Sequence, residues 1–253
     1  MDDTENWQGL KKVYKYQSAD KLLKEVMSCY EAQKIACLGE DPKGKQIIGV
    51  FSPAADIRKN IFTIELGKIL AEKRNVLYIC MEGFVDIRSV VRDEGFTADE
   101  RGLSELLYYF RRNDCFVGEK LRSLISTTGE LDIINAPFCV EDIQEIKPAE
   151  WEMLCRKLMK ESIYDVLLLD IGCEICGLMS ILRLCDRVYI PQIDNEWAEG
   201  KFESLMNQLS KKGIKADVKY LGAELFEGDY NAAESLQERL SNFIRGRCIG
   251  ELQ

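Results

Sequence analysis

Three continuous apolar runs limit what this chain can fold into: 47–51 (IIGVF), 76–79 (VLYI) and 164–171 (YDVLLLDI). None alternates polar with apolar residues. Each therefore reads as a strand covered on both faces, and such strands belong to parallel sheets. Between and after them lie stretches with helical spacing, such as Ile61, Leu66, Ile69 and Leu70, and then Trp151, Leu154, Leu158 and Met159 within 148–161. Shorter strands read at 131–135, 187–191 and 217–221, and helices at 102–112, 197–211 and 230–245. Strands that alternate with helices give an α/β fold: a layered, mostly parallel central sheet flanked by helices. The runs 47–51, 76–81 and 165–170 belong at its centre. A chain of 253 residues with 46% hydrophobic content supplies the core for one large domain and a small appendage.

The stretch 46–82 narrows the reading. It runs strand, short loop ending in Lys59, helix, then a strand closing on Glu82. This is the layout of a nucleotide-binding P-loop, so the expected fold is P-loop NTPase-like. A working phosphate loop turns backbone N–H groups inward, which glycine permits and a Cβ obstructs. Its lysine neutralises the outer phosphates and a Ser or Thr holds Mg²⁺. Here no glycine stands between Phe51 and Lys59, and Asn60 takes the Ser/Thr position. Asp56 adds a carboxylate where a triphosphate would lie, a short-range repulsion that Arg58 partly offsets. Lys59, Arg58 and Asn60 are the candidate cofactor-binding residues. Lys59 either binds phosphate or is a relic on the loop. Asp170, at the end of its strand, either orders a magnesium-bound water when nucleotide binds or caps a backbone turn. Glu82 either orients water for catalysis or is structural.

On these residues the chain resembles the ParA/MinD family of deviant-Walker-A ATPases, most closely its CpaE/TadZ branch associated with pilus assembly, over about residues 44–245. The family loop reads K-G-G-x-G-K-[ST]-[ST] and falls on Ala54-Ala55-Asp56-Ile57-Arg58-Lys59-Asn60-Ile61, where only Lys59 matches. The signature lysine, which in the family reaches the partner subunit's nucleotide, falls on Ala54. The acidic residue that positions water falls on Glu82, and the Walker B aspartate on Asp170. Switch II glycine chemistry is reduced to Gly172, followed by Cys173 and Glu174. The segment 185–192 (CDRVYIPQ) matches the family strand near the base pocket. The resemblance implies a non-hydrolysing scaffold or positioning protein for pilus or secretion machinery. It implies no cofactor, or weakly held ATP or ADP with Mg²⁺. Protein partners and a homodimer that does not need ATP go with that reading. Two alternatives stand beside it: a slow ATPase using Lys59, Glu82 and Asp170, and a receiver-linked signalling module.

The signalling alternative rests on 12–30 (KVYKYQSADKLLKEVMSCY), which resembles the last strand and helix of a receiver domain, with Lys15 ending the strand. The expected division is a segment 1–43 of strand, helix and linker, and a P-loop domain 44–253. The remainder of a receiver domain is missing, which leaves a short gene or a fragment of a longer protein.

The totals exclude several functions. A formal charge of −9 argues against a broad nucleic-acid surface. The absence of histidine removes Ser–His and Cys–His catalysis and most catalytic zinc sites. Ten scattered cysteines read as reduced thiols of a cytoplasmic protein. The single CxxC of Cys173 and Cys176, near Cys185, reads as buried thiols. No apolar run has the length of a membrane span. The stripe Leu236, Leu240, Phe243 and Ile244 reads as a helix packed on the sheet rather than one lying on a membrane. Tyr108, Tyr109 and Phe110 are consecutive and cannot all face one core, so at least one serves an interface or packs beneath the 83–101 loop.

Overall fold

The computed structural model describes residue 18 and residues 44–91, 93, 95–98, 100–112, 117–192, 196–214, 216–226 and 233–248. The N-terminal strand and helix expected within 10–34 lie outside the described residues, Ser18 apart.

The elements run β1 (Gln46–Phe51), α1 (Ile57–Ala71), β2 (Val76–Met81), α2 (Ile87–Val91), α3 (Gly102–Arg112), α4 (Val117–Leu124), β3 (Ile125–Thr128) and β4 (Leu131–Ile134). They continue with α5 (Val140–Gln144), α6 (Pro148–Glu161), β5 (Val166–Ile171), α7 (Leu178–Leu184), β6 (Arg187–Pro191), α8 (Glu196–Lys212), β7 (Asp217–Leu221) and α9 (Ala233–Phe243). One sheet has the order β3-β4-β2-β5-β1-β6-β7, with every pairing parallel except β3–β4. The three apolar runs become its centre, β2-β5-β1, as expected of strands that must hide both faces. Register sets Val50 and Cys80 level with Asp170.

Two apolar layers cover the sheet. One face packs Ile48, Val50, Tyr78 and Leu168 under α1, α2 and α9. The other packs Phe51, Leu167 and Leu169 under α3, α6, α7 and α8. Leu236, Leu240 and Ile244 belong to the first layer, so the C-terminal stripe packs inward. Beyond Phe243 the helix widens into a π-helical turn over Ile244–Cys248. Among the described residues no helix is long and apolar enough to cross a membrane.

The structure departs from the sequence reading in places. Ile125–Thr128 pairs antiparallel with Leu131–Ile134 across a two-residue turn, and Gly129 takes the positive φ (57°) that such a turn needs. Helices α4 and α7 were not expected. The Tyr109 ring lies under the Lys120 ammonium of α4, 4.6 Å from the ring centroid. Tyr108 is 52% exposed and Phe110 packs on the core. Cys185 is buried, but Cys173 and Cys176 are exposed, because their loop leaves the sheet at its carboxyl edge instead of crossing beneath a helix.

Gly67 shows how tightly α1 sits. A Cβ there would come within 2.9 Å of Leu131 Cδ2 and 3.1 Å of Leu168 Cδ2. Gly67→Val should therefore overpack this layer and lower stability by about 1–3 kcal/mol, read as a shifted urea midpoint at unchanged slope.

Candidate functional site at the carboxyl edge

The loop between β1 and α1 keeps a sharp turn without glycine. Ala55 has φ 52°, in the left-handed region, and its N–H donates to Ser52 O at 3.3 Å. A non-glycine residue there costs about 1–2 kcal/mol. Asp56 then caps α1: its carboxylate accepts from Arg58 N–H at 2.9 Å. A helix N-terminus is where a phosphate would sit, with unpaired N–H groups and the positive end of the dipole facing it. Here the chain's own carboxylate takes that place. The helix begins at Ile57, so Ile57 and Arg58, aligned with the family's loop, are helical.

Arg58 does not join the other candidates. Its guanidinium pairs with Asp56 through Nε at 2.8 Å and Nη2 at 2.9 Å, and Nη1 donates to Phe226 O at 3.0 Å. That fork offsets the Asp56 charge, as expected, and ties the loop to residues beyond β7.

Lys59, Asn60, Glu82 and Asp170 do come together. Lys59 and Asp170 are fully buried and Asn60 is 2% exposed. The Lys59 ammonium has three acceptors: Asp170 Oδ1, Glu82 Oε1 at 2.6 Å and Ile171 O at 3.1 Å. An ammonium has three protons, and all are used within the protein. Asn60 Nδ2 donates to Asp170 Oδ2 at 2.8 Å and Glu82 Oε2 at 3.0 Å. Tyr78 O–H completes Asp170 Oδ2 at 2.5 Å. A hydroxyl has one proton to give, whereas the amide's two N–H donors bridge both carboxylates. Asn60 thus stands opposite both acids and donates to each.

Burial alone would push Lys59 toward the neutral amine, but the charges of Asp170 and Glu82 outweigh it and hold its pKa above the ordinary value. Glu82 is also raised, first by burial, then by the Asp170 charge, with Lys59 and Asn60 pulling the other way. Two carboxylates share one ammonium, so the more exposed acid yields. Burial, followed by the Asp170 charge, also raises the Tyr78 phenol, keeping it a donor. With both acids ionised the cluster is one unit negative, which disfavours a phosphate at short range.

Sequence reasoning missed Tyr78 and the capping by Asp56. A tyrosine in an apolar strand signals a buried hydroxyl in want of a partner, and Asp56 two residues before Arg58 is an N-cap signal. Among the described residues no group of three or more Cys, Asp or Glu has metal-binding geometry.

No family model matches the chain and no curated protein does. Solved structures do. A ParA-family ATPase from Chlorobium tepidum superposes with TM-score 0.57 at 18% identity, covering 79% of this chain and 82% of that one. A plasmid partition protein from Borrelia burgdorferi gives 0.56 at 18%, covering 81% of this chain and 100% of that one. MinD in the Aquifex aeolicus MinC:MinD complex gives 0.50 at 14%, covering 69% and 67%. The likeness shows the fold: this chain has the α/β P-loop fold of ParA and MinD ATPases.

Because Lys59 is spent inside the protein, it should behave as a structural residue. Lys59→Met strands Asp170 in the interior and should cost about 3–5 kcal/mol in urea unfolding, with much of the loss recovered by adding Asp170→Asn. Glu82 gives a pH test. Its folded pKa is raised above 4.5, so its contribution to stability is complete below that value and is lost as pH rises through the raised one. The melting temperature of Glu82→Gln minus that of wild type should therefore grow as pH rises above 4.5; a flat difference would mean Glu82 titrates normally.

Proposed function

We propose that this chain is a scaffold or positioning protein of the ParA/MinD ATPase fold that does not hydrolyse ATP. One observation carries the reading: the loop lysine gives all three protons to Asp170, Glu82 and Ile171 O. The capped helix start agrees with it, since Asp56 occupies the anion position. Mg-ATP does not fit this arrangement. To meet a phosphate, Lys59 would leave the buried Asp170 and the partly buried Glu82 without their cation, and Asp56 would have to swing away. Removing one well-placed donor commonly costs ~10²–10³ in rate, and here the donors, the metal-binding hydroxyl and the signature lysine position, now Ala54, are all altered.

The partners in this reading are proteins, with a homodimer that forms without nucleotide. A MinD of this fold is solved in complex with MinC, which supports a protein partner; pilus or secretion machinery is what the branch-level resemblance adds. A cytoplasmic location and a domain boundary near residues 43–44 belong to the same proposal. The receiver-linked alternative rests on residues outside those described.

A slow ATPase is the second reading, favoured by the convergence of Lys59, Glu82 and Asp170 on one edge of the sheet. Calorimetric titration with Mg-ATP separates the two. The expected result is no saturable heat at millimolar nucleotide and no rise in melting temperature. Saturable binding with phosphate release that Asp170→Asn abolishes would overturn the scaffold reading.

A further inference from the structure

Helix α8 carries a glycine that its local structure does not require. Gly200 lies in the helix interior and is not among the glycines with positive φ. A Cβ there would meet nothing within 4 Å among the described residues. Neither a turn nor a close approach calls for glycine, and a glycine inside a helix weakens it relative to alanine. What the missing side chain leaves is space. Gly200 lines a groove of about 490 Å³ between the end of β1 and helices α7 and α8.

The groove combines an apolar floor with one charge. Phe51 and Leu205 are buried at its base, and half-buried Leu178 and Met179 form a wall. Lys201, Ser204 and Leu205 share a face of α8 through i, i+3 and i+4 spacing. Leu205 therefore meets the floor, while exposed Lys201 and Ser204 stand on the rim. No ion pair among the described residues uses the Lys201 ammonium. The groove lies against the layer that holds Phe51 and Leu205. Asp170 is level with Val50 of the opposite layer and meets Lys59 from α1 there.

We infer that this groove binds a small amphipathic carboxylate, its apolar tail on Phe51 and Leu205 and its charged head paired with Lys201. The lining agrees with such a ligand: small-molecule sites of about 300–1,000 Å³ are mostly apolar, with a few polar groups that fix orientation. Volume agrees. A cavity of about 150 Å³ holds the six carbons of benzene, so a ten-carbon tail needs about 250 Å³. That leaves space in the groove for the headgroup. Charge sets the class of head. One ammonium matches one negative charge, and a carboxylate carries one where a phosphate monoester carries nearly two. Ser204, one turn on, brings a hydroxyl donor to the same rim. The site is independent of the nucleotide reading, because Lys59 lies on the other face of the sheet.

Decanoate is the probe. Calorimetric titration of the full chain with decanoate, below its micellar concentration, should show saturable binding. Octanoate, two methylenes shorter, should bind about tenfold more weakly. Lys201→Met should weaken decanoate binding about fivefold. Gly200→Phe, which puts a ring into open space at the groove, should abolish it with unchanged circular dichroism. In methyl NMR the Met179 signal, assigned through Met179→Leu, should move as decanoate binds. Mg-ATP should leave the binding unchanged. No saturable binding at millimolar decanoate, which would leave the groove to a peptide segment, would overturn the inference. Binding indifferent to both Lys201→Met and Gly200→Phe, or methyl shifts that spare Met179, would overturn it as well. So would displacement of decanoate by Mg-ATP, the one result that also counts against the scaffold reading.

Discussion

The ammonium of Lys59 is the point on which the carboxyl edge is organised. It is fully buried, so its charge must be met inside the protein or cost several kcal/mol. Asp170 comes from β5, Glu82 from the end of β2, and the Ile171 carbonyl from the β5 terminus. Satisfying one side chain therefore fixes the ends of two central strands against the first turn of α1. Asn60 repeats the constraint from the next residue, with one donor to each carboxylate. Tyr78 reaches Asp170 along the same face from two residues below Cys80, which is level with the aspartate. Remove the lysine and three elements lose their common partner.

A buried ion pair is weak grounds for claiming stability, because desolvation offsets most of the attraction. Its effect here is on specificity. An aspartate and a glutamate forced near each other repel unless a cation or a shared donor lies between them. In this chain the Lys59 ammonium and the Asn60 amide fill that position. Asp56 does the same at the helix start, where its carboxylate accepts from the Arg58 N–H. The two features are separate in the structure yet act alike, each meeting buried donors or acceptors with a group from within the chain.

Much of the fold could be read from the sequence, for a physical reason. A strand buried on both faces has no polar positions, so 47–51, 76–81 and 165–170 stand out wherever they occur, and their central place follows. The hairpin of β3 and β4 escaped notice because Ser126, Thr127 and Asp132 break the apolar pattern, although Thr-Gly-Glu-Leu at 128–131 held a turn signal. Helix α7, seven residues long, is too short for periodicity to register. The CxxC thiols were misplaced because exposure in a loop depends on where the loop leaves the sheet, which no local pattern records.

The site was legible by position but not by direction. Lys59, Asn60, Glu82 and Asp170 could be named because strand ends and the first turn of a helix meet at one edge in any sheet of this kind. Whether Lys59 faces outward to a ligand or inward to a carboxylate depends on the balance of nearby charge, and that balance is set in three dimensions. Glu82 adds a second acid beside Asp170, Asp56 closes the helix start, and the loop has no glycine to turn N–H groups toward an anion. Each change taken alone leaves the lysine a choice between ligand and protein. Together they put every strong acceptor within reach of Lys59 inside the chain, so glycines restored to the loop would still face a lysine with no proton left to offer.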